Sequence, residues 1–323
     1  MIGLPKIQVY ALGGTIAMTP TASGMVPSLG AAELVAAVPG LGELADISAE
    51  TFATIASANL SFLQIKALCE KASLAQCDGI VVTQGTDTLE ETSFLASLIY
   101  TGDAPLIFTG AMRTPEQLGA DGPSNIYNAV LAACDAEGGV YVVMNGEVHD
   151  PWQVAKSHTS SLASFRSEDR GPVGHISEGA LYLEVHEQQI PIGIGAAVTE
   201  LPPVALLPAG AEFDIRILEQ VVGLGYKGLV IEALGAGHLS EAWADAAETI
   251  AKTIPVIFTS RCASGPVFEN TYGYKGAEID LIERGLMPGG NIKSRKARLL
   301  LSVLLTDNAL DWESRFLAIK ASF

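Results

Sequence analysis

The sequence predicts an α/β protein of two domains, a larger N-terminal one with a mainly parallel sheet and a smaller C-terminal one with a parallel sheet. Three observations lead there. Short apolar runs rich in β-branched residues alternate with longer amphipathic segments, the pattern of parallel strands covered by helices. At 323 residues the chain exceeds what one core usually holds. A stretch rich in Gly, Pro and small apolar residues, 190–203, interrupts the alternation and reads as a linker. The expected domains are therefore 1–189 and 204–323.

The first strand, Ile7–Leu12, is an apolar run that ends at the pair Gly13-Gly14. Ala31–Val38 is expected to be helical and Phe52–Ala56 extended. Ser61 stands before a helix at Phe62–Leu74, where Phe62, Ile65, Leu68 and Cys69 share one face, and its hydroxyl is suited to cap the first turn. Ile80–Thr83 is a β-branched strand that feeds a helix at Leu89–Tyr100. Leu106–Thr109, the helix Ser124–Asp135 and Val140–Met144 continue the alternation. After the break come strands at Val204–Leu207, Leu229–Glu232 and Val256–Thr259. Helices are expected at Asp214–Val222, Glu241–Lys252, Ala277–Arg284, Ser294–Leu305 and Asp311–Ile319.

Composition narrows the function. Hydrophobic residues make up 49% and charged residues 17%, which suits a compact chain rather than a disordered one. Lys+Arg 19 against Asp+Glu 36 leaves a net charge of −17. That field repels phosphate backbones and anionic lipid, so nucleic acid and membrane surfaces are poor partners, whereas a small zwitterion answers to local groups. Cys69, Cys77, Cys134 and Cys262 show no CxxC spacing and are expected to be reduced thiols rather than disulfides or zinc ligands. Met1 to Lys6 leads into a strand without a secretory pattern, and no stretch reaches the ~18 apolar residues of a membrane span. A cytoplasmic location is the expectation.

Two segments carry the chemistry. Leu12-Gly13-Gly14-Thr15-Ile16-Ala17 and Thr83-Gln84-Gly85-Thr86-Asp87-Thr88-Leu89-Glu90-Glu91 each follow a strand, where open α/β sheets bind ligands. A threonine hydroxyl is a weak nucleophile and needs a base, so two threonines with Asp87 point to acyl chemistry. Lys156, in Gln153-Val154-Ala155-Lys156-Ser157, is a candidate for proton transfer if it lies beside Asp87. Thr86-Asp87-Thr88 before a helix also suits capping, with Asp87 or Thr88 as the cap and Glu91 completing a box. Gly223-Leu224-Gly225-Tyr226-Lys227-Gly228 has the GxGxxG spacing but sits between a helix and a strand, the reverse of a dinucleotide site. Of His149, His158, His175, His186 and His238, only the last, in a glycine-rich loop, invites a functional reading.

These residues resemble the bacterial-type L-asparaginase family of amidohydrolases. Gly110-Ala111-Met112-Arg113, Ala120-Asp121-Gly122-Pro123-Ser124-Asn125, Val143-Met144-Asn145, Val154-Ala155-Lys156 and Lys296-Ala297-Arg298-Leu299-Leu300 extend the likeness over almost the whole chain. The resemblance implies Thr15 as nucleophile and a mobile lid from Ala17 to about Pro27. It implies Thr86, Asp87 and Lys156 as a second catalytic set, and Ser57 on the substrate α-carboxylate, with Asp87 also on its α-ammonium. It implies neither cofactor nor metal, and sites formed between subunits of a homodimer or homotetramer.

Three positions depart from the family pattern. Met25 stands where a loop tyrosine is usual, Ala58 replaces a glutamine after the serine, and Leu234-Gly235-Ala236-Gly237-His238 replaces an asparagine-bearing loop. Tyr272 and Tyr274 are candidates to supply a phenol in place of the tyrosine, and Asn59 or His238 to replace the glutamine. The expected activity is hydrolysis of L-asparagine to L-aspartate and ammonia. The alternatives are an amidase for glutamine, a D-isomer or another small ω-amide, and a non-catalytic amino-acid-binding subunit of an amidotransferase.

Overall fold

A computed structural model describes residues 3–21, 24–184, 192–193, 197–306 and 311–322. The chain divides into two compact units, Met1–Gly193 and Ile194–Phe323, and each is α/β as the alternation required. Residues 190, 191 and 194–196 of the expected linker, and His186, lie outside the described residues.

The strands of the first unit are β1 Lys6–Ala11, β2 Met18–Thr21, β3 Gly24–Pro27, β4 Asp46–Thr51, β5 Gly79–Thr83, β6 Pro105–Thr109, β7 Gly139–Met144, β8 Glu147–His149, β9 Val154–Lys156, β10 Phe165–Ser167, β11 Gly174–Ser177 and β12 Ala180–Leu183. Its helices are α1 Ala31–Ala36, α2 Leu41–Leu44, α3 Phe62–Ser73, α4 Leu89–Ile99 and α5 Gly122–Asp135. Eight strands form one sheet in the order β12-β11-β8-β7-β6-β5-β1-β4. From β4 to β7 the pairing is parallel, and from β7 to β12 it is antiparallel. Every residue of β5 and β6 is buried, which explains why both read as unbroken apolar runs. Side chains alternate between faces: Val9, Val81, Ile107 and Val143 pack with α1, α2 and α5, while Val82 and Phe108 point the other way.

One expectation fails here for a local reason. The strand beside β1 is Asp46–Thr51, not Phe52–Ala56. As a largely exposed edge strand, Asp-Ile-Ser-Ala-Glu-Thr lacks the apolar run that marks an interior one. Phe52 and Ala53 instead both donate their N–H groups to the carbonyl of Ala11, and Ile55 donates to Leu12, which ends the ladder and turns the chain toward Ser57. The segment after Ala17 is a two-stranded ribbon, β2 with β3, in register Met18↔Pro27 to Thr21↔Gly24. Ser61 does cap α3, accepting from the backbone N–H of Gln64, whose side chain accepts in return from the Ser61 N–H.

The second unit has a parallel sheet in the order β13-β14-β15-β16, formed by Val204–Pro208, Gly228–Ala233, Val256–Ser260 and Met287–Pro288. Its helices are α6 Arg216–Gln220, α7 Glu241–Ala251, α8 Glu278–Glu283, α9 Ser294–Leu304 and α10 Trp312–Lys320. Leu218, Leu229, Ile231, Trp243, Ala247, Phe258 and Leu281 form its core. The Gly223–Gly228 segment runs from α6 into β14, the order that rules out a dinucleotide fingerprint.

Candidate active site

The sheet order places a crevice. From β1 the chain crosses to β4 on one side, then returns to β5 on the other side of β1 and continues outward to β6. The connections leaving β1 and β5 therefore diverge, and the carboxyl ends of these two strands flank the topological switch point, where α/β sheets bind ligands. Ala11 is in register with Thr83, so the two threonine segments start level.

Glycine lets those segments touch. Gly14 has φ 84° and ψ −173°, a backbone region that essentially only glycine occupies. A Cβ built on it would lie 2.1 Å from the Gly85 nitrogen and 2.2 Å from its Cα. A Cβ on Gly13, at φ 97°, would lie 2.6 Å from the Ile55 carbonyl oxygen, and one on Gly85 would sit 2.8 Å from the Ser57 Oγ. The Gly14 turn, the Gly85 turn and the Ser57 turn thus form one contiguous floor. Thr15, partly buried, begins the short 3-10 turn Thr15–Ala17, and Thr86 is one residue beyond Gly85.

Lys156 joins this group from 69 and 70 residues away. Its ammonium donates to Thr86 Oγ1 at 2.8 Å and lies 2.7 Å from Asp87 Oδ1. The lysine side chain is 18% exposed and that of Asp87 76%, so the pair is buried at its amine end and open at its carboxylate end. A solvated surface lysine would show neither feature. Ser57 is buried in the 3-10 turn Ser57–Asn59, with Ala58 and Asn59 exposed beside it. Among the described residues no cluster of three or more His, Cys, Asp or Glu is arranged to hold a metal ion.

The capping arrangement takes another form. Thr88 is the N-cap residue of α4 by position, but its hydroxyl donates to the Ser57 carbonyl at 3.0 Å and caps no N–H. Thr88 therefore ties the Ser57 turn to the Thr86 turn, and no capping box with Glu91 forms.

Several supporting residues stand in the segments that carried the resemblance, but the sequence assigned them no role of their own. Asp121 accepts from the backbone N–H groups of Met112 and Arg113 at 2.9 Å. Asn125 donates to the Gly110 carbonyl and accepts from the Asn145 N–H, so one buried amide links the ends of β6 and β7. Gln84 accepts from Thr92 at 2.9 Å and donates to the Gly85 carbonyl. The carboxylate of Glu90, a buried residue in the first turn of α4, accepts the backbone N–H of Lys156. Alternation and spacing reveal strands and helices, but not which polar side chain ties one loop to another.

The remaining candidates belong to other elements. Met25 is in β3 with its side chain exposed. His238, Tyr272 and Tyr274 belong to the second unit and come together there. The Tyr274 hydroxyl is 2.9 Å from His238 Nδ1, and His238 Nε2 is 3.1 Å from Glu278 Oε2. Glu278 is fully buried. Burial pushes its pKa up, but the backbone N–H groups of Tyr272 and Thr271, with His238, outweigh that and hold it below the usual carboxylate value. The ionised carboxylate can only accept, so the Nε2 contact is one in which the ring donates to Glu278. Three other histidines have structural settings: His149 bonds Ser167, His158 accepts from Ser160 and Ser161, and His175 stacks on Tyr182.

Comparison with known proteins agrees with this geometry. The family model described as Asparaginase, N-terminal matches residues 6–189, and the one described as Glutaminase/Asparaginase C-terminal domain matches 203–315. The chain is 34% identical to L-asparaginase 2 of Escherichia coli (strain K12) over 94% of its own length and 90% of that protein. It is 32% identical to L-asparaginase 2 of Bacillus subtilis (strain 168), over 94% of this chain and 83% of the relative. It is also 29% identical to a Glutamyl-tRNA(Gln) amidotransferase subunit of Archaeoglobus fulgidus, over 96% of this chain and 77% of that relative. With both family models matched in order along nearly the whole chain, and the threonine turns packed together at the switch point, the chain belongs to the asparaginase family.

Proposed function

We propose that this protein hydrolyses the side-chain amide of L-asparagine to L-aspartate and ammonia, with Thr15 as the nucleophile. The observation that carries the reading is the Thr86–Lys156–Asp87 cluster set on a floor whose other wall is the Gly13-Gly14-Thr15 turn. Ser57 and Asp87 bind the α-carboxylate and α-ammonium of the amino acid. The Thr15 hydroxyl adds to the amide carbon while its proton passes through the Thr86 hydroxyl to the Lys156 amine, which must enter this step unprotonated. Backbone N–H groups near Gly85 and Thr86 face the oxyanion, which preorganised donors stabilise without reorganisation. The proton returns to the nitrogen as the C–N bond breaks, ammonia leaves, and a Thr15 ester remains. Water then adds to the ester, the C–O bond breaks, and aspartate and free Thr15 are released.

Released ammonia, followed for L-asparagine, L-glutamine and D-asparagine with the purified protein, tests this reading. Turnover of L-asparagine with the highest kcat/KM supports it, and ammonia from none of the three refutes it. The likeness to an amidotransferase component favours a second reading, a protein that passes ammonia to a partner. The net charge of −17 is a poor match for a tRNA-bound assembly, and full activity of the isolated protein would set that reading aside. Assembly into a homodimer or homotetramer, with the His238 loop completing a neighbouring site, is part of the proposal. A fully active monomer in light scattering would refute it. A reducing, cytoplasmic setting is also proposed, since all four cysteines are free and burial pushes Cys134 up to about 11, a poorly reactive thiol.

A further inference from the structure

We infer that Glu90 is a positioning residue, which sets Lys156 against Thr86 and Asp87 through a hydrogen bond to the lysine's own backbone N–H. The inference rests on the proposed role of Lys156 and goes beyond it. Lys156 lies in β9, a strand of three residues that among the described residues pairs with β10 alone, in register Lys156↔Phe165. The next inter-strand bond runs from the Ser157 N–H to the Ser164 carbonyl. Bonding alternates in direction along an antiparallel strand, so the Lys156 N–H points away from β10. Its acceptor is the carboxylate of Glu90.

Glu90 sits at the second position of α4, where the helix N-terminus favours a negative group. The residue is 8% exposed, and a carboxylate so placed is costly unless it accepts hydrogen bonds. It follows Thr86 by four residues and Asp87 by three. One short segment therefore grips the lysine at both ends: Thr86 and Asp87 take the ammonium, and Glu90 takes the backbone. Without the second grip, β9 keeps its pairing with β10 and its packing on α4, but the backbone at Lys156 itself loses its tie to α4 and the ammonium loses its alignment with the Thr86 oxygen. Displacements near 1 Å at a catalytic group cost on the order of 10²-fold in rate.

The test compares Glu90→Ala, which removes the acceptor, with Glu90→Gln, which keeps an acceptor oxygen but no charge, with Lys156→Met as a control. Glu90→Ala is expected to lower kcat at least ~10-fold with KM within about twofold, because Ser57 and Asp87 are untouched. Glu90→Gln is expected to recover kcat to within about threefold of wild type, since the bond to the N–H is retained. Hydrogen exchange at the Lys156 amide, which needs no turnover, is expected to quicken in Glu90→Ala and to stay slow in Glu90→Gln. Should Glu90→Ala fail to fold, Glu90→Met fills the same space without an acceptor and takes its place. Wild-type kcat in the folded acceptor-free variant, or a Glu90→Gln variant as impaired as Glu90→Ala, overturns the inference. Normal turnover in Lys156→Met would instead refute the lysine's role, which keeps the two failures distinct.

Discussion

Replacing Lys156 by Met keeps most of the aliphatic stem and removes the ammonium that bonds Thr86 at 2.8 Å and Asp87 at 2.7 Å. The consequences for rate and for stability separate sharply. Loss of a positioned proton-transfer group costs about 10²–10⁴-fold, equivalent to roughly 2.7–5.5 kcal/mol in the barrier. Stability should change far less. Asp87 is 76% exposed on its side chain, so it is resolvated when the lysine is lost, and pairs of that kind contribute about 0–1 kcal/mol. A change of that size moves Tm by a few degrees at most in a protein of this size. KM should not rise, because Asp87 loses a competitor for the substrate's ammonium group. Steady-state ammonia release across L-asparagine concentrations, together with a thermal melt, reads all three quantities. A kcat within about threefold of wild type near neutral pH would refute the reasoning, and so would a rate loss matched by unfolding.

Three further outcomes follow from other parts of the structure. Thr15→Ala is expected to abolish turnover with an unchanged melt, and mass spectrometry of the trapped wild-type intermediate should place the acyl group on Thr15; an adduct on Thr86 alone would contradict the assignment. Gly14→Ala is expected to cost at least ~2 kcal/mol and most of the activity, since its Cβ would meet backbone 2.1 Å away at a φ of 84°; a stable, active variant would show that the two turns do not touch. Glu278, held below the unfolded carboxylate value of about 4.3, contributes stability that is present above that pH and is lost as pH falls through the folded value. Urea midpoints should therefore fall less steeply below pH ~4.5 in Glu278→Gln than in wild type, and parallel slopes would remove Glu278 from the acid response.

The fold class was legible because its strands differ from its helices in the plainest way. The runs Gly79–Thr83, Pro105–Thr109 and Val256–Ser260 are buried throughout and apolar except for the Thr or Ser residues at their carboxyl ends, and the amphipathic segments between them are long enough only for helices. The edge strand Asp46–Thr51 and the short strands from Glu147 to Leu183 bury little on at least one side, so neither left an apolar run to read. The glycine turns and their threonines were also legible, because a strand followed by Gly13-Gly14 or Gln84-Gly85 can do little else than turn. By itself, then, the sequence determined the alternation, the two turns and the residue types a site would need. The tertiary structure decided which of them meet. Strand order put β1 beside β5, the Ser57 carbonyl drew Thr88 away from capping α4, and a pairing across some seventy residues brought Lys156 to Thr86. Local propensity encodes neither strand order nor the partner of a distant polar group; both are fixed only when the apolar faces are buried and every polar group left inside must find its hydrogen bond.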